Sequence, residues 1–114
     1  MKAIWDPKAK KSLYQIARYI QKRFGSQARK DFIRQVRDTE RLILTNPYLG
    51  AIDPLFEGRK LSYRSTVINR LSKMVYFIDG ETIYIAAFWD TRREPKKQAE
   101  QVLTKEKNQV DEQF

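Results

Sequence analysis

The sequence predicts an α+β fold: a short N-terminal strand, an antiparallel helical hairpin packed on a mainly antiparallel four-stranded sheet, and a weak C-terminal helix or tail. Three observations predict it. Two consecutive apolar stripes recur at steps of three and four, separated by Gly25. After Pro47 the pattern changes to runs rich in β-branched and aromatic residues. Asp79-Gly80 lies between two of those runs, the strongest short-range hairpin signal a sequence carries.

Met1 to Asp6 reads as a strand with Ala3, Ile4 and Trp5 as its apolar positions. Asp6-Pro7 then starts a helix: Asp6 is a good N-cap, and Pro7 fits the first helical position, where its missing N–H is not needed. Ala9, Leu13, Ile16, Ala17, Ile20 and Phe24 form the apolar stripe. Gly25 is placed to end this helix in a left-handed conformation, and Ser26 to cap the next. The second stripe runs through Ala28, Phe32, Val36, Thr39 and Ile43, with Ile33 and Leu42 beside it. Asn46-Pro47 stops it, because the residue before a proline disfavours helical backbone. So short a link makes the two helices antiparallel neighbours.

Pro47 to Gly58 is a connection with two prolines and two glycines. Three strands are expected after it: Leu61–Ile68, Lys73–Ile78 and Thr82–Trp89. The last two are nearly all apolar rather than alternating, as in central strands covered on both faces. So short a chain is expected to have few residues left to cover the face away from the helices, and an acidic amphipathic segment of another chain is expected there. From Lys96 onward the sequence has helix formers and few apolar anchors.

Composition narrows the chemistry. With 114 residues and 41% apolar content, the chain has the makings of one globular domain. It has no apolar run of membrane-spanning length and no signal-peptide pattern, which points to a cytosolic protein with no membrane partner. Cysteine and histidine are absent, which excludes disulfides, thiolate catalysis, a Ser-His-Asp triad and a Cys/His zinc site. No metal or cofactor is expected. Lys and Arg total 23 against 14 Asp and Glu, a net charge of +9 that favours a polyanionic or acidic partner.

The positive charge is unevenly placed. No carboxylate occurs between Glu57 and Asp79, whereas Arg59, Lys60, Arg64, Arg70 and Lys73 all do. Tyr63 and Tyr76 lie among these cations, an arrangement suited to stacking on unpaired bases. The same run also suits a solvated strand edge, where charge discourages edge pairing. A second group, Arg92 and Arg93, follows the last strand and could clamp a phosphate or pair with Asp90 and Glu94 in a turn. The first 30 residues hold nine Lys and Arg against Asp6 alone, which a solvated helix surface also explains.

The ordered set resembles the RelE/ParE family of toxins from type II toxin–antitoxin modules. The residues are Trp5-Asp6-Pro7, the hairpin ending in Asn46-Pro47, Gly58-Arg59-Lys60-Leu61, Lys73-Met74-Val75-Tyr76, the Asp79-Gly80 turn and Arg92-Arg93. The resemblance spans residues 1–97, leaving 98–114 as a C-terminal helix or flexible tail. It implies a cognate antitoxin partner and one of two activities. One is metal-independent mRNA cleavage on the ribosome; the alternative is inhibition of DNA gyrase without nuclease activity. For the nuclease it implies Lys73 and Arg92 as phosphate-stabilising residues and Lys60 as a proton-transfer group, its pKa lowered by clustered cations. Arg59, Tyr63, Arg64, Arg70 and Arg93 would then bind nucleic acid. Nuclease members often carry a tyrosine or histidine near the end of the fold, whereas this chain has no histidine and no tyrosine after Tyr84.

Overall fold

Residues 1–91 are described by the structure, a computed structural model of the chain. The elements are β1 (Lys2–Trp5), α1 (Pro7–Phe24), α2 (Ser26–Thr45), β2 (Ala51–Ile52), a 3₁₀ turn (Pro54–Phe56), β3 (Arg64–Ile68), β4 (Ser72–Asp79) and β5 (Thr82–Asp90). The expected α+β architecture is present, with a sheet of five strands instead of four, ordered β1-β5-β4-β3-β2. Three of its pairings are antiparallel, while β1 lies parallel to β5, with Lys2 opposite Thr82 and Trp5 opposite Ile85. β5 is thereby hydrogen-bonded on both sides, which fits its almost continuous apolar sequence.

The N-terminus of α1 forms as its sequence dictates. The Asp6 carboxylate accepts a 2.8 Å hydrogen bond from the Lys8 N–H, and Pro7 occupies the first turn. Its other oxygen accepts a 2.8 Å bond from the Tyr84 hydroxyl, so one buried side chain joins the helix start to the last strand. Gly25 has φ +97° and ψ 175°, a region essentially reserved for glycine and different from the left-handed helical cap expected. Ser26 is already helical, and no side-chain hydrogen bond caps α2. Phe24, placed on the apolar stripe by its spacing, lies past the end of the core and is 67% exposed.

Both helices cover one face of the sheet. Leu13 and Ala17 of α1, with Phe32, Val36 and Ile43 of α2, pack with Met74, Tyr76, Ile83, Ile85 and Phe88. The Trp5 indole N–H donates to the Glu40 carboxylate at 2.9 Å, fastening β1 to α2. The opposite face carries Val75, Phe77, Ala86 and Ala87, covered by Phe56 and Tyr63 with Leu61. This corrects one expectation: the chain itself supplies cover for that face, from the connection between β2 and β3. A register shift opposite Val75 and Tyr76 leaves Ala86 as the extra residue of β5, so Ala86 and Ala87 both turn to this side.

The strand expected from Leu61 begins at Arg64, because Leu61 and Tyr63 belong to the covering segment. Between β3 and β4 the chain turns through Asn69 and Arg70, both with positive φ (54° and 62°). The expected Asp79-Gly80 hairpin is present, with Asp79 opposite Thr82 and Gly80 at φ +59°. No helix among the described residues is long and apolar enough to cross a membrane. The expected C-terminal helix or tail lies outside the described residues.

Candidate functional site

Strand alternation decides which cations can meet. Successive side chains of a strand point to opposite faces. Arg64 sits opposite Tyr76 in the β3–β4 register, and Lys73 sits opposite Val67 and Trp89. Tyr76 belongs to the helix-covered core, whereas Val75 and Phe77, two and four residues beyond Lys73, belong to the other. Arg64 and Lys73 therefore leave the sheet on opposite sides.

On the loop-covered side, the Lys73 ammonium lies 2.8 Å from the Asp53 carboxylate, with the two side chains 16% and 4% exposed. Asp53 precedes Pro54 and caps the 3₁₀ turn, accepting a 3.0 Å bond from the Leu55 N–H. Its own N–H donates to the Tyr63 carbonyl at 2.9 Å, closing the segment from 53 to 63 into a flap. Burial pushes the Asp53 pKa up. Hydrogen bonds from Lys73, the Leu55 N–H and Ser65, with the attraction of the ammonium, outweigh that and hold it below the ordinary carboxylate value. Tyr63 is turned inward and only 2% exposed, packed at 5.1 Å from Phe56 and edge-on at 5.6 Å from Phe77. Its ring is thus part of the core and presents no face for a base to stack on. The reason is alternation again: Tyr63 precedes Arg64 and points to the other side.

On the helix side, Tyr76 organises the chain between α2 and β2. Its buried hydroxyl donates to the Pro47 carbonyl at 2.8 Å and accepts from the Gly50 N–H at 2.9 Å. The Gly50 carbonyl accepts a 2.8 Å bond from the Arg64 guanidinium, which lies 4.8 Å over the Tyr48 ring. Gly50 is required here, because a Cβ would fall 2.7 Å from the Tyr76 hydroxyl and 2.8 Å from the Ser65 carbonyl. Burial raises the Tyr76 pKa, while the Gly50 hydrogen bond and the Arg64 charge act in the other direction.

Arg59 and Lys60 lie in the flap, Arg59 half-buried and Lys60 exposed. Arg70 is exposed at the β3–β4 turn, where its carbonyl accepts from the Thr91 hydroxyl at 3.1 Å. Arg92 and Arg93 lie outside the described residues. The expected basic site is thus distributed: Lys73 under the flap, Arg64 at the helix-side edge, Arg70 at a turn. Sequence reasoning missed Asp53, although Asp53-Pro54 repeats the Asp-Pro helix-start signature of Asp6-Pro7. It also missed the fastening role of Gly50, for which the sequence offers only the glycine itself.

A small basic α+β protein with a helical hairpin on one face of a five-stranded sheet is the class defined by this geometry. The model of a family described as "ParE toxin of type II toxin-antitoxin system, parDE" matches residues 3–95, and the chain belongs to that family. A chain of the structure titled "Chromosomal ParDE TA system from P. aeruginosa" has a similar fold, at a TM-score of 0.64 and 16% identity. The match covers 79% of this chain and 95% of that one. No curated protein sequence matches the chain.

Proposed function

We propose that this toxin arrests growth by binding DNA gyrase, as a protein–protein inhibitor, and that a cognate antitoxin holds it inactive. Membership in the ParE family supports both parts of this reading. The observation that carries the choice of target is the Lys73–Asp53 pair at 2.8 Å. Cleavage of RNA without histidine or metal needs several positive groups converging on one phosphate. Lys73 is tied to a carboxylate, and Arg64, the cation of the adjacent strand β3, sits on the opposite face of the sheet. A surface that only has to bind another protein needs no such convergence.

The test is to express the full chain in bacteria and assay supercoiling by gyrase alongside transcript integrity. Inhibited supercoiling, DNA breaks and intact ribosome-bound transcripts are expected. Unaffected supercoiling at micromolar protein, with transcripts cut in the ribosomal A site, would overturn the proposal and restore the nuclease reading.

A further inference from the structure

A shallow trough of about 570 Å³ runs along α2 from Ser26 to Arg41, with Gln21 of α1 at one end and neither Lys73 nor Arg64 in its lining. Arg29, Lys30, Arg34, Arg37 and Arg41 line it, with Asp38 as the one carboxylate and Ile33 as the one apolar side chain among its described lining residues. Lys30, Arg34, Arg37 and Arg41 follow at steps of four, three and four, which is one helix face. At 1.5 Å per residue the row extends about 16 Å. Arg34 and Arg41 lie 3.5 and 3.3 Å from Asp31 and Asp38, in pairs whose side chains are 48–75% exposed. Such exposed pairs hold weakly and yield to a stronger anion. Arg37 is exposed and, among the described residues, in no ion pair.

We propose that this face of α2 docks on the phosphate backbone of double-stranded DNA. The lining selects among polyanions. An acidic peptide needs an apolar seat for its own hydrophobic side chains, and the trough offers Ile33 alone. The apolar depression lined by Trp5, Leu13, Tyr14 and Val36 lies across the Arg29–Ile33–Arg37 ridge, between the helices. An unpaired strand is held by aromatic stacking, and none of the described lining residues is aromatic. A helix seated between the two phosphate rows that flank the B-form major groove, about 12 Å wide, reaches both with its arginines, whereas the narrow A-form groove of RNA leaves no room for that seat. Four of the five cations are arginine, whose planar fork grips phosphate oxygens in pairs. This docking does not rest on gyrase binding, and abolishing it should leave supercoiling inhibition in place.

The test measures binding of the full chain to a short mixed-sequence DNA duplex by fluorescence anisotropy across a salt series. The variant carrying Arg34→Gln, Arg37→Gln and Arg41→Gln is expected to bind at least about tenfold more weakly at low salt. Its salt slope should fall by about 2.7, or 0.9 for each phosphate that the variant no longer neutralises. Lys8→Gln with Lys11→Gln, on α1 outside the trough, should leave affinity unchanged. Equal weakening in the two variants, tighter binding of a single strand, or easier displacement by a polyglutamate peptide would overturn the proposal. Arginine modification of the unmutated protein gives a second reading that no folding defect can confound. The duplex should protect Arg34, Arg37 and Arg41, and undiminished reactivity at all three would refute the docking face.

Discussion

On one face of the sheet, Met74, Tyr76, Ile85 and Phe88 are covered by two helices that pack through regular stripes. On the other, Val75, Phe77 and Ala87 are covered by an irregular flap that contributes Phe56, Leu61 and Tyr63. The two coverings differ in what holds them down. The helices have their own internal hydrogen bonds and pack mainly through apolar stripes, with the Trp5–Glu40 and Tyr84–Asp6 bonds at their margins. The flap has one 3₁₀ turn; the Asp53 bond to Tyr63 closes it on itself, and the Lys73–Asp53 pair ties it to the sheet. The difference shows why a strand cation in a basic protein can be structural: an irregular cover, without helical hydrogen bonds of its own, leans more heavily on a buried polar anchor.

The largest effect should come from removing the flap's anchor. Lys73→Met keeps the aliphatic stem and leaves the Asp53 charge buried without its ammonium, so a loss of about 3 kcal/mol in urea unfolding is expected. Hydrogen exchange should loosen first in the flap while the helices stay protected. A variant with unchanged stability but lost toxicity would return Lys73 to the site. Next is Tyr76→Phe, which leaves the Pro47 carbonyl and Gly50 N–H without their partner and should cost about 2 kcal/mol. Because the Tyr76 pKa is raised in the fold, its contribution is complete below the unfolded value of 10.0 and is lost as pH climbs through the folded value. Stability of the unmutated chain should therefore decline in strong alkali more than that of Tyr76→Phe. The smallest effect comes from Asp53 titration and shows only in acid. Its lowered pKa means that its contribution is complete above the ordinary 3.8 and is lost as pH falls through the folded value. Urea midpoints followed into acid should fall less steeply in Lys73→Met, where the ammonium that lowers the Asp53 pKa is gone.

The helices and the last hairpin were legible because their signals are local. Asp6-Pro7, the spacing from Ala9 to Ala17 and Asp79-Gly80 each state their geometry within a few residues. The parallel placement of β1 was not, since pairing Lys2 with Thr82 depends on how the sheet closes and on no nearby residue. The short β2 escaped notice for a related reason: Ala51 and Ile52 are a strand only because Ser65 and Arg64 lie opposite. The cation site was half legible. An acid-free stretch from Gly58 to Ile78 is visible in the sequence. Whether its charges converge depends on alternation and register, which send Lys73 towards Asp53, itself outside that stretch. Counting acids nearby in sequence therefore could not find the acid nearby in space.

The parallel pairing of β1 with β5 also sets an order of events during synthesis. β1 leaves the ribosome well before its partner and has no place in the sheet until residues 82–85 exist, some eighty residues later. At about 5–20 residues per second, that leaves Ile4 and Trp5 waiting for several seconds. Asp6, whose second oxygen must await the Tyr84 hydroxyl, waits with them. A truncated product ending before β5 lacks the strand that pairs with both β1 and β4, so interrupted translation leaves β1 without its place in the sheet.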